Sequence, residues 1–167
     1  GMEACFANLV EPGDKVIVCI NGVFGTRMKE NVIRVGGKAV IISDDWGKPV
    51  NPQKVKQALA DNPDTKILAF VHAETSTGAI SDAKQLCELA NKHGCLSIVD
   101  AVTSLAGSEL RVDDWGIDAI YSGSQKCLSA MPGLSPVSFS EKAIHKFSHR
   151  KTPVTSWFLD LNLVMGY

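Results

Sequence analysis

The chain has 167 residues, of which 45% are apolar, and a formal net charge of −1. This length and composition allow one domain with a sizeable core, and the charge balance does not favour nucleic acid or an anionic membrane as a partner. The sequence shows neither an apolar run near the roughly 20 residues that span a bilayer nor the pattern of a secretory signal.

Apolar runs and helical patterns alternate through the first half of the chain. A turn at residues 11–14 precedes a predicted strand at 16–20, and helical spacing covers 24–35. A second strand is predicted at 39–42. Asn51 and Pro52 have the residue types of an N-cap and a first helical position, so a helix is predicted from there to about Ala60.

The second half repeats the alternation. We predict that Ser81 caps a helix over residues 82–93 that ends at Gly94. Four further strands are predicted, with a last helix at 141–149; the strands cover residues 67–71, 95–100, 117–121 and 134–139. Repeated β-α-β units with continuous apolar strands predict an α/β fold with a mostly parallel sheet covered by helices.

Candidate functional residues follow four of these strands. In parallel sheets, ligands bind at the carboxyl ends of the strands. Asp100 ends one apolar run, and Ser122-Gly123-Ser124-Gln125-Lys126 follows another. Asn21-Gly22 and the segment 72–75 fall at two more strand ends, so all four are expected at one edge of the sheet. The small residues before Lys126 predict an enclosed amine, and desolvation would favour its neutral, nucleophilic form.

Three segments together resemble the class V aminotransferases, which depend on pyridoxal 5'-phosphate (PLP). They read IVDAVTSLAG at 98–107, GID at 116–118 and YSGSQK at 121–126. Within that class the chain is similar to the alanine–glyoxylate and serine–pyruvate branch, which includes 3-hydroxykynurenine transaminases. The resemblance covers essentially all 167 residues. It implies the large domain of a fold-type I PLP-dependent transferase.

The resemblance implies two catalytic residues. Lys126 would be the Schiff-base lysine and would afterwards carry a proton between substrate and cofactor carbons. Asp100 would pair with the pyridine nitrogen and keep it protonated, so that the ring acts as an electron sink. Without the Lys126 segment, an aspartate at a strand end is as easily read as a cap of the next turn.

Four other positions would contact the cofactor by the same resemblance. Phe24 stands where the family has an aromatic, often tryptophan, stacked on the ring, and Val102 would touch the opposite ring face. Thr75 would lie near the phenolic oxygen, in the segment HAETSTG at 72–78, and Gln125 would contact the phosphate. His72 is expected to support its loop rather than to catalyse.

The resemblance also suggests that residues 1–167 are the central part of the PLP-binding domain. The family's N-terminal phosphate loop and its C-terminal small domain, with the arginine that binds substrate carboxylate, are expected to be absent. A homodimer is implied for the complete protein, and the chain alone is expected to be a poor enzyme.

The implied activity is amino transfer between a small amino acid, alanine or serine, and a 2-oxo acid, glyoxylate or pyruvate. A 3-hydroxykynurenine transaminase shares every motif used here. A cysteine desulfurase is a more distant alternative, because desulfurases usually have histidine where this chain has Gln125. A truncated piece that only folds or binds a partner is the non-enzymatic alternative.

Five cysteines are present, an odd number with no C-x-x-C spacing. Their apolar neighbours predict buried, reduced thiols in an intracellular protein, whether peroxisomal, mitochondrial or cytosolic. No zinc or other metal site is predicted from their spacing.

Overall fold

The computed structural model describes residues 1–166, in which six strands form one sheet and two short strands form a separate hairpin. The sheet contains β1 (Lys15–Ile20), β2 (Lys38–Ser43), β3 (Thr65–Val71), β6 (Leu96–Asp100), β7 (Ala119–Tyr121) and β8 (Val137–Phe139). The hairpin consists of β4 (Ala73–Glu74) and β5 (Ala79–Ile80).

The strand order is β2-β1-β3-β6-β7-β8. The first five strands are parallel to one another, and β8 runs antiparallel to β7 at the edge. The predicted α/β fold with a mostly parallel sheet is therefore confirmed. The carboxyl ends of β1, β3, β6 and β7, four adjacent strands, lie along one edge.

Helices cover both faces of the sheet. They are α1 (Met2–Leu9), α2 (Val23–Arg34), α3 (Pro52–Asp61), α4 (Ala83–His93), α5 (Glu141–Ser148) and α6 (Leu161–Met165). One core cluster joins the sheet to α1, α2 and α5, and a second joins it to α3 and α4.

Strand β1 shows why the apolar runs in the sequence are continuous, because its side chains pack on both faces of the sheet. Val16 and Val18 belong to the first cluster, whereas Ile17 and Cys19 belong to the second. Successive side chains of a strand point to opposite faces, so a strand that is buried on both sides must be apolar at consecutive positions. The continuous runs in the sequence are the direct result.

The structure corrects two predicted boundaries. Asp82, not Ser81, caps α4, because its side chain accepts a hydrogen bond from the Gln85 backbone N–H. The Ser81 hydroxyl instead accepts from Val50 N at 3.1 Å. The predicted strand at 134–139 is shorter, since only Val137–Phe139 pair with β7. The β4–β5 hairpin and α6 were not predicted.

Two further findings concern the chain as a whole. Within residues 1–166, no helix has both the length and the apolar character needed to cross a membrane. All five cysteines are free thiols, and four of them are buried. Burial raises the pKa of Cys5 and of Cys87 to about 12, so these thiols stay protonated and pack as small apolar groups.

Candidate functional site

A cleft of about 480 Å³ opens at the carboxyl ends of β1, β3, β6 and β7. All six of the site residues that we predicted from the sequence line this one cleft: Phe24, Thr75, Asp100, Val102, Gln125 and Lys126. The expectation that four strand ends meet at one edge is confirmed by the strand order.

Asp100 lies at the end of β6 and is only 3% exposed. Its Oδ1 accepts a hydrogen bond from Val102 N at 2.9 Å, and its Oδ2 accepts one from the Tyr121 hydroxyl at 2.8 Å. Burial raises the pKa of the Asp100 carboxyl, although these two hydrogen bonds act in the opposite direction. Among residues 1–166, no cationic side chain forms an ion pair with Asp100.

Tyr121 was not predicted as a site residue. It is the last residue of β7 and stands directly beside Asp100 in the parallel register of β6 and β7. Burial and the neighbouring Asp100 carboxylate raise the pKa of its phenol well above the usual range. Tyr121 therefore remains a hydrogen-bond donor. The sequence signal was an aromatic residue with a polar tip at the end of a strand that adjoins the Asp100 strand.

The loop that carries Lys126 is held by the small residues before it. Ser122 Oγ donates to Ala101 O, and Ser124 Oγ donates to Met131 O at 2.6 Å. The Ser129 N–H donates to the Lys126 carbonyl, which tightens the turn. The expectation of an enclosed amine is wrong for this chain, because Lys126 is exposed.

Phe24 lies in the first turn of α2 and is half-buried. Its ring faces the Arg27 guanidinium carbon, 4.9 Å from the ring centroid. The backbone N–H of Phe24 donates to Glu74 Oε2 at 3.1 Å. Glu74 belongs to the segment at 72–78, yet it had no role in our sequence interpretation.

The remaining predicted residues occupy the walls of the cleft. Thr75 is exposed and its hydroxyl donates to Thr103 Oγ1 at 3.1 Å. Val102 is half-buried and Gln125 is exposed. His72 is buried just after β3, where its backbone N–H donates to Asp100 O. Burial lowers the pKa of His72, which suits an uncharged supporting residue.

The family model described as aminotransferase class-V matches residues 2–154. The chain belongs to the class-V aminotransferase family. The alanine–glyoxylate aminotransferase of Oryctolagus cuniculus is 39% identical over 163 residues, which are 98% of this chain and 41% of that protein. The (S)-ureidoglycine–glyoxylate transaminase of Bacillus subtilis is 34% identical over 185 residues and matches 100% of this chain and 44% of its own length.

Solved structures of class-V aminotransferases superpose closely. Alanine–glyoxylate aminotransferase from Nostoc sp. has a TM-score of 0.96 and 44% identity, over 99% of this chain and 44% of that one. Pyridoxamine–pyruvate aminotransferase from Mesorhizobium loti has a TM-score of 0.90 and 30% identity, over 97% and 41% of the two chains. The chain thus spans about two fifths of the length of these relatives.

Class-V aminotransferases imply PLP as the cofactor, and the residues of the cleft fit it. PLP offers a basic ring nitrogen, an aldehyde, a flat aromatic face and a phosphate. Asp100 is a buried carboxylate that forms no ion pair with a side chain of the described residues, which suits a protonated ring nitrogen. Lys126 supplies a primary amine in the same cleft, and Phe24 supplies an aromatic ring.

Proposed function

We propose that the cleft binds PLP and that the protein transfers amino groups between a small amino acid, alanine or serine, and a 2-oxo acid, glyoxylate or pyruvate. The observation that carries this proposal is the buried carboxylate of Asp100, which forms no ion pair with a side chain of the described residues, in the same cleft as the Lys126 amine. The free-energy cost of burying a carboxylate alone falls when a cation binds beside it.

Lys126 would hold the cofactor through its amine. When bound, PLP supplies an electrophilic aldehyde and an electron-withdrawing ring. Once a substrate amine has displaced it, the freed Lys126 amine would move a proton at the substrate Cα. Its exposed position gives the side chain room to leave the cofactor and return, while the hydrogen bonds of Ser122 and Ser124 keep its loop in place.

Asp100 would hold the proton on the ring nitrogen. Its two oxygens are oriented by Val102 N and by the Tyr121 hydroxyl, so the carboxylate does not need to reorganise during the reaction. Both hydrogen bonds favour the ionised form of Asp100. Tyr121 would thus act on the cofactor through Asp100, as a positioning residue.

Four residues would orient the cofactor ring and phosphate. Phe24 would stack on one face of the ring and Val102 would contact the other. Thr75 would lie near the phenolic oxygen, and Gln125 would contact the phosphate. The amino-terminal end of α1 supports an anion here, because Met2 lines the same cleft and helix N-termini favour phosphate.

The substrate assignment rests on the relatives. Several proteins that match nearly all of this chain are named for glyoxylate as a substrate. A 3-hydroxykynurenine transaminase remains the alternative. We also propose that the chain forms the central part of a PLP-binding domain and that the complete protein is a homodimer. The five free thiols support an intracellular location.

The cofactor assignment is tested by trapping PLP on the protein. Borohydride reduction after PLP addition, followed by peptide mapping, should place the pyridoxyl group on Lys126. Lys126→Ala should abolish the trapped adduct. Lys92→Ala is the matched control, since Lys92 is exposed at the end of α4, outside the cleft, and should leave trapping unchanged. Stoichiometric labelling of another lysine in the unmodified protein would contradict the proposal.

The amino donor and acceptor are then identified on the protein at the length of its relatives. A panel of amino donors with glyoxylate and pyruvate as acceptors should show alanine or serine as preferred donors. Preference for 3-hydroxykynurenine would select the alternative, and sulfide release from cysteine would select the desulfurase.

A further inference from the structure

Helix α2 begins without a cap from its own sequence. Its N-cap residue is Gly22, which has no side chain to offer. The first backbone N–H groups of a helix have no partner within the helix and need one from elsewhere. In this chain all of the first three find acceptors about 50 residues further along, in the β4–β5 hairpin.

Glu74 and Ser76 are those acceptors. The Val23 N–H donates to Ser76 Oγ at 3.0 Å. The Phe24 and Gly25 N–H groups both donate to Glu74 Oε2, at 3.1 and 3.4 Å. A carboxylate at this place also interacts favourably with the positive end of the helix dipole.

Glu74 is itself fully held. It is 1% exposed, and its second oxygen, Oε1, accepts from Ser76 N at 3.2 Å and from Ser76 Oγ at 2.7 Å. Both oxygens of this buried carboxylate are therefore occupied by hydrogen bonds. A carboxylate that is held at both oxygens has one low-energy position, and it therefore fixes the positions of the groups that donate to it.

The close approach of the two segments shows that this fit is tight. A Cβ atom added to Gly22 would clash with Glu74 Cγ and would lie 2.6 Å from Ser76 Oγ, closer than packed atoms come. The absence of a side chain at Gly22 thus lets the start of α2 approach Glu74 and Ser76 this closely. A side chain introduced at position 22 would push Glu74 away from the helix.

The two linked segments each carry a residue that faces the cleft. Phe24 lies in the capped turn of α2, and Thr75 lies between Glu74 and Ser76. We propose that Glu74 and Ser76 are positioning residues that cap α2 from a distance and so fix Phe24 and Thr75 relative to each other across the cleft. The part of this inference that concerns the ligand rests on the proposed PLP function.

The cap itself is tested without cofactor. Amide hydrogen exchange of Phe24 and Gly25 should speed up at least tenfold in Glu74→Ala, while the amides of α4 keep their protection. Glu74→Gln should be intermediate, because the amide retains one acceptor oxygen. Glu88→Gln, on an exposed face of α4, is the matched control and should exchange as the unmodified protein does. Unchanged exchange at Phe24 and Gly25 in Glu74→Ala would overturn the proposal.

The positioning role is tested by PLP titration of the same variants. Glu74→Ala should raise the dissociation constant for PLP at least tenfold, with partial rescue in Glu74→Gln and a smaller effect in Ser76→Ala. Asp82→Ala removes the cap of α4 and serves as a control for destabilisation away from the cleft, so it should leave the dissociation constant unchanged.

The outcomes separate this inference from the proposed function. If the unmodified protein does not bind PLP, the proposed function is wrong, and the exchange experiment alone decides whether the cap exists. If PLP binds and Glu74→Ala leaves its affinity unchanged, the positioning role is wrong. If Asp82→Ala weakens PLP as much as Glu74→Ala does, general destabilisation explains both and the positioning role is again wrong.

Discussion

Asp100 meets opposite requirements in folding and in the proposed chemistry. Burial raises the pKa of its carboxyl, which means that the folded chain favours the neutral form relative to the unfolded chain. A carboxyl whose pKa is higher in the folded chain than in the unfolded chain stabilises the fold at low pH. This contribution to stability is lost as the pH rises through the pKa of the folded state. At neutral pH the ionised carboxylate is therefore a cost that a cationic ligand would offset.

Asp100→Asn should separate the two requirements. Without cofactor, the free energy of unfolding should fall less between pH 4 and pH 7 in the variant than in the unmodified chain, because the amide does not ionise. Urea unfolding across that range measures it. In the complete protein the same change should slow turnover on the order of 10²-fold or more, as loss of a preorganised charge partner does. The same pH dependence of stability in both proteins, together with normal turnover, would show that Asp100 has only a packing role.

Phe24→Trp should be tolerated and should tighten PLP binding, because the family commonly has the larger ring at this position. Aromatic stacking contributes on the order of 1 kcal/mol, so the expected change is a few-fold in the dissociation constant. Phe24→Leu is the control and should weaken binding by a similar factor. Loss of all PLP binding in Phe24→Trp would show that the ring packs in the core rather than against a cofactor.

At the scale of helices and strands, the sequence predicted helix ends best where a residue could fill only one structural role. Asn51 and Pro52 begin α3 as predicted, with the Asn51 side chain accepting from Gln53 N. Gly94 ends α4 with a φ of 79°, a conformation that glycine adopts freely. Ser81 and Asp82 are both good caps. The choice between them depends on a distant partner, because the Ser81 hydroxyl accepts from Val50 N and Asp82 is left to accept from Gln85 N.

The two candidates for the α4 cap predict different losses. Asp82→Ala should cost about 1 kcal/mol of stability, the usual contribution of an N-cap. Ser81→Ala leaves the buried Val50 N–H without its acceptor and should cost about 1–3 kcal/mol. Urea unfolding gives the loss in the free energy of unfolding for each variant. Hydrogen exchange then shows whether the amide of Gln85 or that of Val50 has lost its acceptor. Faster exchange of Gln85 in Ser81→Ala would restore the original prediction.

The candidate site was predictable only in part. Asp100 and Lys126 stand in motifs that are contiguous in sequence, and the cleft contains both. Tyr121 and Glu74 were missed because their contacts join separate segments. Tyr121 depends on the register of two strands, and Glu74 depends on a hairpin that contacts a helix distant in sequence. Periodicity and local motifs carry no information about such pairs.

For the molecule as a whole, the length of the chain matters most. It spans about two fifths of the relatives that it matches, and their remaining segments have room for further binding groups. We predict that the 167-residue chain alone binds PLP weakly and has negligible turnover. Positioning accounts for roughly 7–11 kcal/mol of a reaction barrier, so an incomplete set of contacts costs most of the rate. Comparison with a protein of the relatives' length tests this, and robust transamination by the 167 residues would contradict it.

The distant cap of α2 has a consequence for the order in which the chain is made. The first N–H groups of α2 donate to acceptors that stand 49 to 53 positions later in the chain. At about 5–20 residues per second, translation separates the helix from its cap by about 3–10 s. During that interval the first turn of α2 has no Glu74 to bind, so the wall of the cleft that carries Phe24 forms only after β3 has been synthesised.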